Sequence, residues 1–194
     1  MTPARTVAGL NLGKETAIVS LAYIGAFFAT FEVLMPLQNI LVPAFDNPAS
    51  LLFLPHGVRV LAAWLLGPRS VVALLPGVVL GFVYAAGWGA FEPSRLSAMA
   101  VAVTVPATCF FLLRLLGQDL RPAPDRRPCW PCIMGIGLVI SMISSVLTNY
   151  AFGSAPRDYI AYLIGDMLGL FFLMLMLILM LIFRGLRHSS ASGN

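Results

Sequence analysis

Apolar residues along this chain fall into six long runs, separated by short clusters of Pro, Gly, Asn and charged residues. The runs cover 16–35, 50–66, 70–87, 97–116, 133–151 and 159–183. Each approaches the ~20 residues that a helix needs to cross a bilayer, and somewhat shorter spans are accommodated by tilt or local thinning. None alternates polar with apolar as a barrel strand does, and a bilayer core offers backbone groups no water, so every run predicts a helix. The separators Asn47-Pro48, Gly67-Pro68, Glu92-Pro93 and Ala155-Pro156 carry turn chemistry. The pattern therefore predicts an all-α polytopic membrane protein, a bundle of about six transmembrane helices. Residues 16–184 form its single transmembrane domain, between cytoplasmic tails at 1–15 and 185–194. No internal repeat is visible. Residues 1–15 hold no apolar core of the kind a cleavable signal peptide needs.

Composition excludes the water-soluble classes. Hydrophobic residues make up 59% and charged residues 10% of the chain, with a mean hydropathy of +0.90. Soluble domains carry about 25% charged residues. The net charge of +4 does not point to nucleic acid, because the basic residues sit at the ends of the apolar runs. There they act as topology signals. With the N-terminus inside, Arg5, Lys14, Arg69, Arg114, Arg121, Arg126, Arg127, Arg184 and Arg187 fall on one side. Only Arg95 and Arg157 fall on the other, and Arg59 lies within a span. The expected location is a bacterial inner membrane, with both termini cytoplasmic. The expected partners are lipids and a further protein.

Polar residues inside the runs are the functional signal. The second run, SLLFLPHGVRVLAAWLLG, places His56 and Arg59 three apart, on one face of a helix. An ionisable side chain at the membrane centre costs on the order of 2.5–3.5 kcal/mol on insertion scales, so it faces protein or water. Counting at ~1.5 Å per residue, Glu32, His56, Arg59, Asn149, Tyr162 and Asp166 fall in the same outer half of the membrane. These six are the candidate ligand-binding residues. Pro55 is expected to free a backbone carbonyl beside them and Gly57 to admit a close approach. Arg59 is expected to pair with Asp166, or failing that with Glu32, so that removing Asp166 should relieve the loss of Arg59. As the only basic side chain within a span, Arg59 favours an anionic or zwitterionic ligand. His56, with an ordinary pKa of about 6.5, would make affinity depend on external pH.

A second reading of the same residues is purely structural, because buried pairs and Ser/Asn contacts also serve as glue between helices. A proton path has little support, since few acidic residues continue into the inner half. The stripe Ser141, Ser144, Ser145, Thr148 has helical spacing and favours close packing against a neighbour over lining a pathway. No nucleophile–base arrangement, HExxH, P-loop or GxGxxG occurs, so neither an enzymatic activity nor a cofactor is expected. Cys129-Trp130-Pro131-Cys132 is a C-x-x-C that could support thiol exchange or give half of a zinc site. It lacks a second ligand pair, so Cys129 and Cys132 are weak metal candidates; the simpler reading is a juxtamembrane pair with no role or an acylated one. His188 reads as a solvated tail residue.

The order of residues in LLFLPHGVRVLAAWLLGPRSVVALLPGVVLGF is similar to the start of the MASE1 family of bacterial integral membrane sensory domains. Pro55 and Gly57 match the family's W/F-x-P-x-G helix, and Pro76, Gly77 and Gly81 match a later element. Gly165, Asp166 and Gly169 resemble its G-D-x-x-G helix. The resemblance spans most of 51–175. It implies a sensory or ligand-binding membrane domain. Members commonly have about eight helices and precede histidine kinase, GGDEF or EAL output domains, whereas this chain has six runs and carries no output domain. Action through a partner protein is therefore the expectation. The alternatives are a solute-transporter subunit resembling the substrate-binding components of energy-coupling-factor importers, or a structural accessory subunit of a membrane complex. For transport, Ala22-x-x-x-Ala26 would supply a docking face.

Overall fold

The computed structural model of the chain describes residues 3–41, 50–122, 128–152 and 157–191, and the helices it contains are α1 (Pro3–Phe28), α2 (Met35–Leu41), α3 (Leu54–Leu66), α4 (Ser70–Ala86), α5 (Pro93–Leu115), α6 (Trp130–Phe152) and α7 (Arg157–Ala191). A π-helical turn, Ala29–Leu34, joins α1 to α2 without a non-helical residue between them. Asn47-Pro48, Ala155-Pro156, Arg126 and Arg127 lie outside the described residues, as do the side chains of Arg5, Arg157, Tyr159, Arg184, Arg187 and His188. No strand occurs among the described residues. Among the described residues five helical stretches are long and apolar enough to cross a membrane, one of them Leu54–Phe91. That stretch holds both α3 and α4. Gly67 separates them at φ 58°, a left-handed conformation that a side chain would strain, and Gly87 ends α4 in the same way at φ 56°.

Helix directions follow from the contacts. Ser20 of α1 meets Ala73 and Gly77 of α4, and Glu32 meets Tyr84 further along both, so α1 and α4 run parallel. Thr30, late in the first span, bonds the start of α3 at Leu54, so α3 runs back against α1. α3 and α4 thus form a hairpin, and the bundle is an all-α polytopic one. The cores gather Tyr23, Phe27, Leu74, Val78 and Met99 around α1, α4 and α5, and Val60, Trp64, Ile133, Ile140 and Leu170 around α3, α6 and α7.

Two prolines are accommodated by neighbours. Pro76 within α4 has no N–H and crowds the preceding turn. The Ser20 hydroxyl inserts beside it, donating to Ala73 O at 2.9 Å and accepting from Gly77 N at 3.2 Å, the pair an unkinked helix would bond directly. Pro36 follows the π-helical turn, where Met35 N reaches back to Thr30 O. That widened turn presents Thr30, fully buried, to the chain entering α3.

The second span departs from the sequence expectation. Residues 50–53 are not helical, and α3 begins only at Leu54, with Pro55 in its first turn. Proline there interrupts no helical bond, because the first-turn N–H groups have no helical partner in any case. Pro55 therefore does not free a carbonyl as expected. Non-helical backbone at membrane depth is tolerated only when buried in protein or lining a cavity. Here every N–H from 51 to 54 has a partner. Leu51 N donates to Gln38 Oε1 at 2.7 Å, Leu52 N to Ser50 Oγ at 3.2 Å, Phe53 N to Gly165 O at 2.9 Å and Leu54 N to Thr30 Oγ1 at 3.2 Å. Gly165 and Gly169, one turn apart on α7, make room for this segment: a methyl group on either would collide with the carbonyls of Ser50 and Phe53. Gly57 does the same for α7 itself, with Leu170 Cα 3.0 Å from where its side chain would start. The close approach expected at Gly57 is therefore made by a helix.

Candidate functional site

The broken second span opens a cavity of about 390 Å³. Its wall takes Tyr23 and Phe27 from α1, Phe31 from the π-helical turn, Ser50 and Phe53 from the non-helical segment 50–53, and Arg59 from α3. Phe82 and Ala85 of α4, Ala98 and Ala102 of α5, Ser144, Ser145, Thr148, Asn149 and Phe152 of α6, and Tyr162 and Asp166 of α7 complete it. These positions lie late in α1, α4 and α6 and early in α3, α5 and α7. The cavity thus occupies the end of the bundle away from the start of α1.

Of the six candidate residues, Arg59, Asn149, Tyr162 and Asp166 line this one cavity. His56 is almost fully buried behind the wall, and its Nδ1 lies 3.3 Å from Asp166 Oδ2. The same carboxylate oxygen accepts from Ser141 Oγ at 2.6 Å. Glu32 is not part of the site. It is exposed on the outside of the bundle, where its Oε1 accepts from Tyr84 Oη at 2.8 Å.

The expected pairing of Arg59 is corrected. Among the described residues no carboxylate lies within 4.0 Å of its guanidinium, and its buried Nε has no hydrogen-bond partner. The reason is the interface of α3, α6 and α7, which commits Asp166 to His56 and Ser141. Arg59 instead extends across the Phe53 ring, with Cζ 5.7 Å from the centroid, inside the range where a cation is held by an aromatic face. Glu32, the second expected partner, is held by Tyr84 instead.

The serine stripe of α6 contributes more than packing. Ser144, Ser145 and Thr148 line the cavity, while Ser141 orients Asp166. Ser144 Oγ is buried there without a partner. Asn149 donates Nδ2 to Ser145 O at 2.8 Å, which leaves its carbonyl oxygen as the acceptor. The aromatic wall of Tyr23, Phe27, Phe31, Phe53, Phe82 and Phe152 was almost illegible in sequence. An aromatic residue in a membrane helix carries the same pattern whether it meets lipid, core or cavity. The i, i+4, i+8 spacing of Tyr23, Phe27 and Phe31 is the one trace it leaves.

The opposite end of the bundle is polar and exposed. Arg121 Nη2 bonds Asp119 Oδ2 at 2.7 Å, and Arg114 Nε lies 3.8 Å away. The hydrogen bonds from Arg121 hold the Asp119 carboxyl well below the usual carboxylate range. The weak metal candidates Cys129 and Cys132 are joined in a disulfide, with Cα atoms 5.2 Å apart. A disulfide sulfur is not the thiolate that binds a metal. Among the described residues no group of three His, Cys, Asp or Glu side chains could hold an ion.

Comparison with known proteins returns no protein-family model, no curated protein and no solved structure that matches this chain. The class is defined by fold and cavity alone: a polytopic helical membrane protein with an aromatic-walled chamber in which, among the described residues, Arg59 is the one cationic side chain. Chemically, this arrangement can hold an anion and exclude water.

Proposed function

We propose that this chain is a membrane-embedded ligand-binding domain of the sensory kind, with no catalytic step of its own. The observation that carries this reading is the Arg59 guanidinium at a cavity of about 390 Å³, its buried Nε without a hydrogen-bond partner and, among the described residues, no carboxylate within ion-pair reach. A bundle built only for packing gains nothing from such a group, because an uncompensated charge in a membrane interior is costly. The volume lies within the roughly 300–1,000 Å³ usual for small-molecule sites. The MASE1-like order of Pro55, Gly57, Gly165, Asp166 and Gly169 supports a sensory role, in which occupancy is conveyed to an output protein. Solute transport has less support, because Ala26 of the Ala22-x-x-x-Ala26 pair is buried in the bundle.

Arg59→Gln tests the reading without any ligand. In the purified chain in lipid nanodiscs its Tm should equal the parent's or exceed it by about 2–4 °C, the equivalent of ~1 kcal/mol at this size. A fall of similar size would mean that Arg59 stabilises the bundle, and the binding reading would fail.

We further infer that both termini are cytoplasmic in a bacterial inner membrane. Arg69, Arg114 and Arg121 cluster at the end of the bundle where α1 begins, and Arg95 lies at the other, which supports this orientation. Trp88, in the short turn after α4, and Leu116, just after α5, are both highly exposed. Trp88→Cys should react with a membrane-impermeant thiol reagent in intact cells, and Leu116→Cys only after permeabilisation. The opposite pattern would invert the topology.

A further inference from the structure

The chemistry of the cavity wall narrows the ligand. Resting on the ligand-binding reading above, we propose that the occupant is an amphipathic monocarboxylate, its carboxylate on Arg59 and its apolar body against the aromatic wall. Among the described residues Arg59 is the only cationic side chain in the wall, and its buried Nε lacks a hydrogen-bond partner. A guanidinium presents parallel N–H groups that match a carboxylate in a two-point contact. Ser144 Oγ, on a residue more than nine-tenths buried, is a second orphaned group in the same wall. It can give one further hydrogen bond.

Other anion sites nearby are closed. The start of α3 would attract negative charge through its helix dipole. But Leu54 N is taken by Thr30, Pro55 has no N–H, and His56 N donates to Phe53 O at 3.3 Å. Recognition therefore falls on Arg59. A small inorganic anion fits poorly, because it would exchange a full hydration shell for one guanidinium and one hydroxyl while facing Tyr23, Phe27 and Phe82. A dianion would face the Asp166 carboxylate in the same chamber. An ammonium group would find one of that carboxylate's two oxygens, Oδ2, already engaged by Ser141 and His56, and would have to compete with both for the charge. A single negative charge joined to an apolar body satisfies what remains.

The test uses the full chain in nanodiscs and calorimetric titration with phenylacetate and octanoate, against phenylacetamide, phenylalanine and inorganic phosphate. Saturable binding of at least one of the two carboxylates is expected, weakened about 30-fold or more by Arg59→Gln, as loss of a charged hydrogen-bond partner implies. Arg59→Lys should retain part of the affinity, and Ser144→Ala should lose up to about 10-fold. Phenylacetamide bound as tightly as phenylacetate, or preference for phosphate or phenylalanine, would overturn the monocarboxylate assignment. So would an absence of binding by both carboxylates. The cavity reading itself is judged separately, by the Tm of Arg59→Gln, so the two can fail independently.

Discussion

Gly169→Ala should yield little folded protein, with a loss of about 3 kcal/mol or more in whatever is recovered. The added methyl would collide with the carbonyl group of Phe53 and come within 3.0 Å of Leu54 N. All of these are backbone atoms, and no rotamer change can withdraw them. Relief requires lifting residues 50–53 off α7. That breaks the bond from Phe53 N to Gly165 O and disturbs those to Gln38 and Thr30. Each buried amide left unpaired costs about 1–3 kcal/mol. Gly25→Ala is the control, because nothing lies within 4 Å of its added methyl. The measurement is recovery and Tm in nanodiscs. A Gly169→Ala protein with the parent's Tm would show that the segment 50–53 does not rest on α7.

The second large effect concerns Asp166. Asp166→Ala should cost about 2–3 kcal/mol, the penalty of leaving buried polar groups without their hydrogen-bond partner. It leaves Ser141 Oγ and His56 Nδ1 facing a void where both now meet one oxygen. The coupling is specific. In a double-mutant cycle, His56→Ala combined with Asp166→Ala should cost less than the sum of the single changes by about 1 kcal/mol or more. Arg59→Ala combined with Asp166→Ala should be close to additive, because the two side chains make no ion pair. This reverses the expectation drawn from depth alone, in which Asp166 answered Arg59. Strong coupling to Arg59 and none to His56 would restore that earlier pairing.

Helix positions were readable because a bilayer admits so few alternatives. The runs at 70–87 and 133–151 nearly coincide with α4 and α6, and glycine with proline at 67–68 marked the α3–α4 turn. Arg59, Asn149, Tyr162 and Asp166 were placed together by depth, which depends only on residue count. Depth carries no azimuth, and this is why Glu32 was included although it faces away from the cavity. For the same reason Arg59 rather than His56 was matched to Asp166. The non-helical stretch at 50–53 was hidden by composition. SLLF is as apolar as any helix, and what holds it out of a helix is Gln38, Thr30 and the paired glycines of α7, all distant in sequence. The π-helical turn was hidden likewise, since Pro36 could have been met by a simple kink.

Six of the seven helices each give a side chain to the cavity wall. An occupant is therefore a cross-brace, because no helix can swing outward without surrendering contact with it. Thermodynamic linkage sets the scale: a ligand at a hundred times its Kd stabilises the closed arrangement by about 2.7 kcal/mol. α3 runs from the cavity wall at Arg59 to the opposite end at Leu66 as an unbroken rod, so the brace is felt there as stiffness. A protein seated against that far end, touching neither ligand nor cavity, would meet a rigid bundle when the chamber is filled and a compliant one when it is empty.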